Sequence, residues 1–196
     1  MQPHYPRRIV CLTEEPTETL YLLGEQHRIV GISGFTVRPL QARKEKPRVS
    51  AFTSANTEKI LALNPDLIIG FSDLQADIAA DLVRQGQSVL LFNHRSVEEI
   101  LSMILTLAGL VGAQHKGEHL VAQLQANIDK VVQSASRFDA RPSIYFEEWD
   151  DPMISGIRWV SDLVELAGGT DCFKELSTQA LGKDRIIADA QQVIDR

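Results

Sequence analysis

The sequence predicts an α/β fold of two three-layer lobes joined by one long helix, with the second lobe incomplete at its C-terminal end. Three observations carry this expectation. From Arg8 to about Gly112, short apolar runs rich in β-branched residues alternate with amphipathic stretches, the pattern of a mostly parallel sheet covered by helices. From Ala113 to Phe138 the residues Leu120, Val121, Leu124, Ile128, Val131, Val132 and Ala135 fall at helical spacing, giving one apolar stripe on a polar helix. At 1.5 Å per residue that helix is ~35 Å long, a strut between lobes. After it the strand–helix pattern starts again at Ser143 and breaks off after one round. The expected divisions are therefore 1–112 for the first lobe, 113–138 for the linking helix and 139–196 for the partial second lobe.

In the first lobe, Arg8–Leu12 (RIVCL) is a buried strand, too short and too β-branched for a helix. Pro16 suits the first position of a helix that runs through Leu20, Leu22 and Leu23 and stops at Gly24. Arg28–Ser33 is the second strand, Gly34 to Pro47 a loop with Arg43, Lys44 and Lys46, and Arg48–Phe52 a short third strand. Asn56 or Thr57 caps a helix through Leu63, and Asn64-Pro65 separates it from the strand Asp66–Phe71. A helix over Gln75–Gln85 leads to the strand Ser88–Phe92, and Ser96 with Glu99 forms a capping box for a helix over Val97–Val111.

In the second lobe, Ser143–Glu148 (SIYFEE) reads as a strand, Trp149 to Ile157 as a loop and Arg158–Ala167 as a helix ending at Gly168-Gly169. The chain from Asp171 reads as irregular, and Ala188–Arg196 as a short helix. The lobes repeat one order: strand, acidic loop, helix ending in glycine, linker, short helix. One strand and two helices do not close a sheet-based core, hence the expectation of an incomplete lobe.

Composition excludes several classes. Of 196 residues, 44% are hydrophobic and 23% charged, as in a globular protein, and the net charge of −6 with no basic stripe argues against nucleic acid. No stretch approaches the ~20 apolar residues of a membrane span. MQPHYPRRIVCLTEEP has no apolar run of signal type, so with Met1 as the start the expected location is the cytoplasm. Cys11 and Cys172 lack metal spacing and are expected to be thiols, a disulfide requiring export. His115 and His119, one helical turn apart, have no third ligand nearby in sequence and belong on the polar face. GxSxG, P-loop, GxGxxG and paired CxxC motifs are absent.

The stretches RIVCLTEEPTETLYLLGEQHRIVGIS, KPRVSAFTSANTEKILALNPDLIIGF and SIYFEEWDDPMISGIRWVSDLVELAGG resemble the substrate-binding proteins of ABC importers for cobalamin and ferric siderophores. TEKILALNPDLIIG and the ISG…LVELAGG pair are the most specific parts, and the signal-less cobalamin-binding-like members are the nearest in character. The resemblance implies two α/β lobes, a ligand in the cleft, and no intrinsic cofactor or catalytic residue. It also implies docking to a membrane permease through one acid per lobe: Glu58 occupies the first such position, while the second falls near the uncharged Gln191. Periplasmic export is the family norm. The implied ligand is a cobalamin-like corrinoid or a ferric chelate, and a monomer is expected.

Ligands of α/β sheets sit at the carboxyl ends of the strands. Those ends carry Thr13, Glu14 and Glu15, Phe35 to Arg38, Phe52 to Ser54, and Glu147 to Asp151. Phe52 matches a position that is aromatic in cobalamin binders; it either stacks on a flat macrocycle or closes the core at its strand end. Trp149, set among acids, offers a large apolar face with a polar handle, and Trp159 either joins it or packs at the lobe junction. Glu147, Glu148, Asp150 and Asp151, of which strand alternation lets only some converge, bond ligand amides, a cation, or Arg38 or Arg158, or are a solvated acidic loop. Glu14 and Glu15 are also simply favourable at a helix N-terminus. Arg38 pairs with an anionic ligand group or is a solvated arginine. Two competing readings stay open: a metal-dependent hydrolase using Glu14, Glu15, Glu147 and Asp150, and a truncated remnant without function.

Overall fold

Ile9–Cys11 (β1) is fully buried because its neighbours cover it on both sides and both faces. In the computed structural model, which describes residues 4–196, it lies between Ile29–Ser33 (β2) and Leu67–Phe71 (β4). Arg48–Ser50 (β3) extends the sheet beyond β2, and Val89–Phe92 (β5) extends it beyond β4. All pairings are parallel, in the order β3-β2-β1-β4-β5. The helices are Glu14–Leu22 (α1), Leu40–Glu45 (α2), Thr57–Ala62 (α3), Ala76–Arg84 (α4), Val97–Leu110 (α5) and Gln114–Ala135 (α6). Val10, Leu12, Val49 and Ile68 from the strands meet Ile60 of α3 and Leu82 of α4 in one buried cluster. Strands buried in this way read as continuous apolar runs, which is why RIVCL and DLIIGF stood out. The crossover direction reverses between β1 and β4, the place where such sheets open a crevice at the carboxyl ends.

The chain divides into two compact units. One runs up to His94 and includes Leu101–Val121; the other combines Arg95–Ile100 with Ala122–Arg196. The second unit contains Ser143–Ile144 (β6), Glu147–Asp150 (β7), Met153–Ser155 (β8), Arg158–Leu166 (α7), Thr170–Asp171 (β9), Lys174–Ser177 (α8) and Gln191–Ile194 (α9). β6 and β9 pair in parallel, and β7 and β8 form an antiparallel hairpin.

Several local signals hold. The Ser96 hydroxyl accepts from Glu99 N–H at 3.2 Å while the Glu99 carboxylate accepts from Ser96 N–H at 3.0 Å, a complete capping box. Asn56 caps α3 by accepting from Lys59 N–H at 2.8 Å. One part of the expected repeat holds: α1 and α7 both end at a glycine in the left-handed region, Gly24 at φ 74° and Gly168 at φ 87°.

Other expectations are corrected. Pro16 is the third residue of α1, which begins at Glu14; it is tolerated because first-turn N–H groups have no helical partner anyway. The loop Gly34 to Pro47 contains α2, anchored by Ala42 alone, with too few apolar residues to show a period. The third strand stops at Ser50, so Phe52 lies beyond it. The single strand over Ser143–Glu148 is broken into β6 and β7, and the loop after it is the hairpin. All four residues of β7 are exposed, so no apolar alternation could mark it. The irregular stretch from Asp171 contains part of β9, then α8. The apolar stripe of α6 is only half-buried, and Val131 and Val132 are exposed.

Candidate functional site

In the first unit, the carboxyl ends of β1 and β2 carry polar groups with nothing to bond. The hydroxyls of Thr13 and Thr36 are buried without a hydrogen-bond partner, as is one carboxylate oxygen of Glu15. Thr13 occupies the N-cap of α1, yet its side chain does not cap the helix. Each unpaired buried group costs about 1–3 kcal/mol, so three just after these two strands, at the N-cap and first turn of α1 and in the loop after β2, mark a place built for something other than stability.

Glu14 ties the loops together. Burial raises its pKa, and Glu18 adds to this; Arg38 and the backbone N–H groups of Arg38 and Val37 pull it back. Arg38 stands 4.0 Å from the Glu14 carboxylate and 3.3 Å from that of Glu18. Its side chain is 72% exposed, so the pairing leaves most of the guanidinium available. Phe35 is exposed beside it.

Phe52 is half-buried in the bend after β3. Its carbonyl accepts from the Gln75 amide at 2.8 Å, and the same amide's oxygen accepts from Phe71 N–H at 3.1 Å. Gln75, fully buried, thereby fastens the Phe52 bend to the end of β4. Ser72, between them in the chain, sits at φ 77°, a conformation costly for a residue with a side chain and concentrated at functional sites. Glu58 is exposed in the first turn of α3.

In the second unit, Trp149 is 61% exposed on β7, and its indole N–H donates to the carbonyl of Asp151 at 3.1 Å. Asp150 is exposed and accepts from the N–H of Asp151, while Glu147 accepts the Tyr145 hydroxyl at 3.2 Å. Glu148 differs. The register slips between Glu147 and Trp149, and Glu148 is the residue in the bulge. Both its oxygens bond the buried guanidinium of Arg185, at 2.6 and 3.1 Å. The arginine it pairs with is therefore neither Arg38 nor Arg158. Trp159 is half-buried as the second residue of α7. Among the described residues no group of three His, Cys, Asp or Glu side chains is placed to hold a metal ion.

Of the residues named from the sequence, Glu14, Glu15, Phe35, Arg38 and Phe52 lie in the loops and first turn that follow strands of the first unit, and Glu148, Trp149 and Asp150, expected in a strand and the loop after it, lie on one hairpin strand of the second. Thr13 and Thr36 lie in the strand-end stretches named from the sequence without being singled out for a role, and sequence reasoning missed Gln75 and Arg185. Nothing marks Gln75 in a polar stretch, and Arg185 in LGKDR looks like one more solvated charge.

The profile described as periplasmic binding protein matches residues 9–194. An ABC transporter substrate-binding lipoprotein of Bacillus subtilis is 28% identical over 156 residues, 76% of this chain and 49% of that protein. A cobalamin-binding protein of Halobacterium salinarum is 21% identical over 196 residues, 96% of this chain and 53% of that protein. The chain thus spans about half the length of these relatives. Among solved structures, the periplasmic vitamin B12 binding protein of Vibrio cholerae superposes with a TM-score of 0.81 at 22% identity, covering 98% of this chain and 74% of that one. No helix among the described residues is long and apolar enough to cross a membrane.

Proposed function

Because the chain belongs to the periplasmic binding protein family, we propose that it binds a corrinoid or a ferric-siderophore type metal chelate, as the substrate-binding component of an ABC import system or a relative of one. The observation that carries this reading is the set of buried, unpaired oxygens on Thr13, Glu15 and Thr36. Two hydroxyls and a carboxylate match a ligand whose rim bears amides, each with donors and an acceptor. In the first unit Phe35 and Phe52 offer rings to the flat part of such a ligand; Trp149, in the second unit and taken by itself, offers an exposed ring of the same kind. Arg38 adds a charge for an anionic substituent. The names of the relatives point to the same ligand class.

Binding without turnover is the activity assigned. Of the acids a hydrolytic cluster would use, Glu147 takes the Tyr145 hydroxyl and Asp150 bonds the next backbone N–H, which supports a structural use for both. The family resemblance assigns Glu58 to docking on a permease, and its exposure in the first turn of α3 is compatible with that role. Glu58→Lys would then abolish stimulation of the permease ATPase and leave ligand affinity unchanged.

The test of the main reading is a thermal melt with cobalamin, cobinamide, haem and ferric siderophores. A ligand at 100 times its dissociation constant adds about 2.7 kcal/mol, a rise of about 5–10 °C for a chain of this size. A rise with one chelate supports the reading. A cooperative melt that no chelate moves overturns it.

A further inference from the structure

We propose that Arg185 is a positioning residue: a buried guanidinium that clamps the β7–β8 hairpin and thereby fixes how Trp149 is presented. The inference rests on the reading that Trp149 meets the ligand, but the clamp itself is argued from contacts within the second unit.

The Arg185 side chain is 3% exposed. One of its terminal nitrogens donates both to Glu148 at 2.6 Å and to the Ser155 carbonyl at 2.7 Å; the other donates to the second Glu148 oxygen at 3.1 Å. One group therefore holds both strands of the hairpin, Glu148 on β7 and Ser155 on β8. The backbone around it completes the attachment. The Ser155 hydroxyl donates to the Arg185 carbonyl at 3.4 Å, Ile187 N–H donates to the Met153 carbonyl at 2.9 Å, and Ile154 forms an isolated antiparallel bridge with Ile186.

The bulge explains why this arginine acts on Trp149. In regular alternation Glu148 would face opposite to both Glu147 and Trp149; a bulge re-aims one side chain at the expense of local pairing. Here the re-aimed group is the carboxylate that meets Arg185, and the residue immediately after it is the exposed tryptophan. The other face of the guanidinium is not optimised: its Nε is buried with no partner. A purely stabilising buried ion pair would be expected to satisfy every donor. Apart from this arginine, a hairpin whose β7 residues are all exposed is held by its two-residue turn, its own pairings and the backbone contacts of β8 with Ile186 and Ile187, and isolated hairpins are marginal.

The experiment uses the full chain in a Trp159→Phe background, so that Trp149 is the only tryptophan. Time-resolved anisotropy of Trp149 and amide exchange of residues 147–155 are measured without ligand for Arg185→Met, Arg185→Lys and Glu148→Gln. The expected result is a larger fast anisotropy component and faster hairpin exchange in Arg185→Met and Glu148→Gln, with Arg185→Lys intermediate because an ammonium cannot grip both oxygens in a planar fork. Where a chelate binds, its affinity falls about tenfold or more in the same order. If Arg185→Met does not fold, Glu148→Gln, which keeps the side-chain shape, decides. Unchanged anisotropy and exchange together with a lower melting temperature overturn the clamp and leave a merely stabilising pair. A wild-type chain that binds no chelate would sink the functional reading, while the ligand-free measurements would still decide the clamp.

Discussion

The side-chain amide of Gln75 donates to the carbonyl of Phe52 across 2.8 Å. The two residues are 23 positions apart, and the same amide accepts from Phe71 N–H. This one buried side chain bonds two backbone groups, one in the bend after β3 and one at the last residue of β4.

Replacing it should therefore act on both stability and binding. Gln75→Leu removes both hydrogen bonds and is expected to cost about 2–4 kcal/mol. Gln75→Glu keeps the acceptor for Phe71 but sets a buried carboxylate against the Phe52 carbonyl, so a loss at least as large is expected at neutral pH. Gly70→Ala should mimic the Gln75→Leu defect, since a Cβ there would stand 2.7 Å from Leu91 and closer still to the Gln75 oxygen. Urea denaturation gives the stabilities. If Gln75→Leu were as stable as wild type, the amide would not be fastening this bend.

The two ring positions should separate stability from affinity. Trp149 is 61% exposed, so Trp149→Ala is expected to change stability by no more than about 0.5 kcal/mol while weakening chelate binding. Phe52 is half-buried, so Phe52→Ala is expected to lower both. Denaturation and titration on the same two variants check this. Equal affinity for wild type and both variants would remove the rings from the site.

How much of this was legible depended on the length of each signal. The first unit's strands are buried on both faces, so Ile9, Ile32, Ile68 and their neighbours form unmistakable apolar runs. The Ser96–Glu99 box and the glycines after α1 and α7 are local chemistry, readable within four residues. β6 and β9 are two residues each, and β7 is wholly exposed; no periodicity exists at that length or exposure. The candidate residues named from the sequence are those a strand end announces. Those missed act across the chain: Arg185 meets Glu148 from 37 positions away, a distance over which side-chain partners leave no local pattern. The orphaned hydroxyls of Thr13 and Thr36 are defined by what they lack, which only coordinates reveal.

Glu25 gives a pH dependence with a defined sign. Burial alone would raise its pKa, but hydrogen bonds and charge from Arg28 and Lys116 outweigh that and lower it. The contacts are 2.8 Å to Arg28 and 2.9 Å to Lys116, with the Glu25 side chain 12% exposed. A carboxylate with a lowered folded pKa contributes stability above its unfolded pKa of ~4.3 and loses it as pH falls through the folded value. Glu25→Gln should therefore be less stable at pH 7, by about 1–3 kcal/mol, and should lose less than wild type on acidification from pH 5 to pH 3. Parallel acid limbs in wild type and variant would show that Glu25 does not carry this dependence.

The cysteines should differ in reactivity although both are thiols. Burial pushes the Cys11 thiol up to about 12, against a hydrogen bond to Thr17 and the charge of Lys46. Burial and then Asp171 also raise Cys172, but that residue is only half-buried. Since the thiolate is the reacting species, a disulfide reagent at pH 8 should modify Cys172 first. Cys11, on the central strand, should react only when the sheet opens, so its rate should report an opening free energy near the global value. Adding denaturant should bring the two rates together. Mass spectrometry of the labelled protein assigns the order, and a Cys11 that reacted as fast as Cys172 under native conditions would mean that β1 is not the protected centre of the sheet.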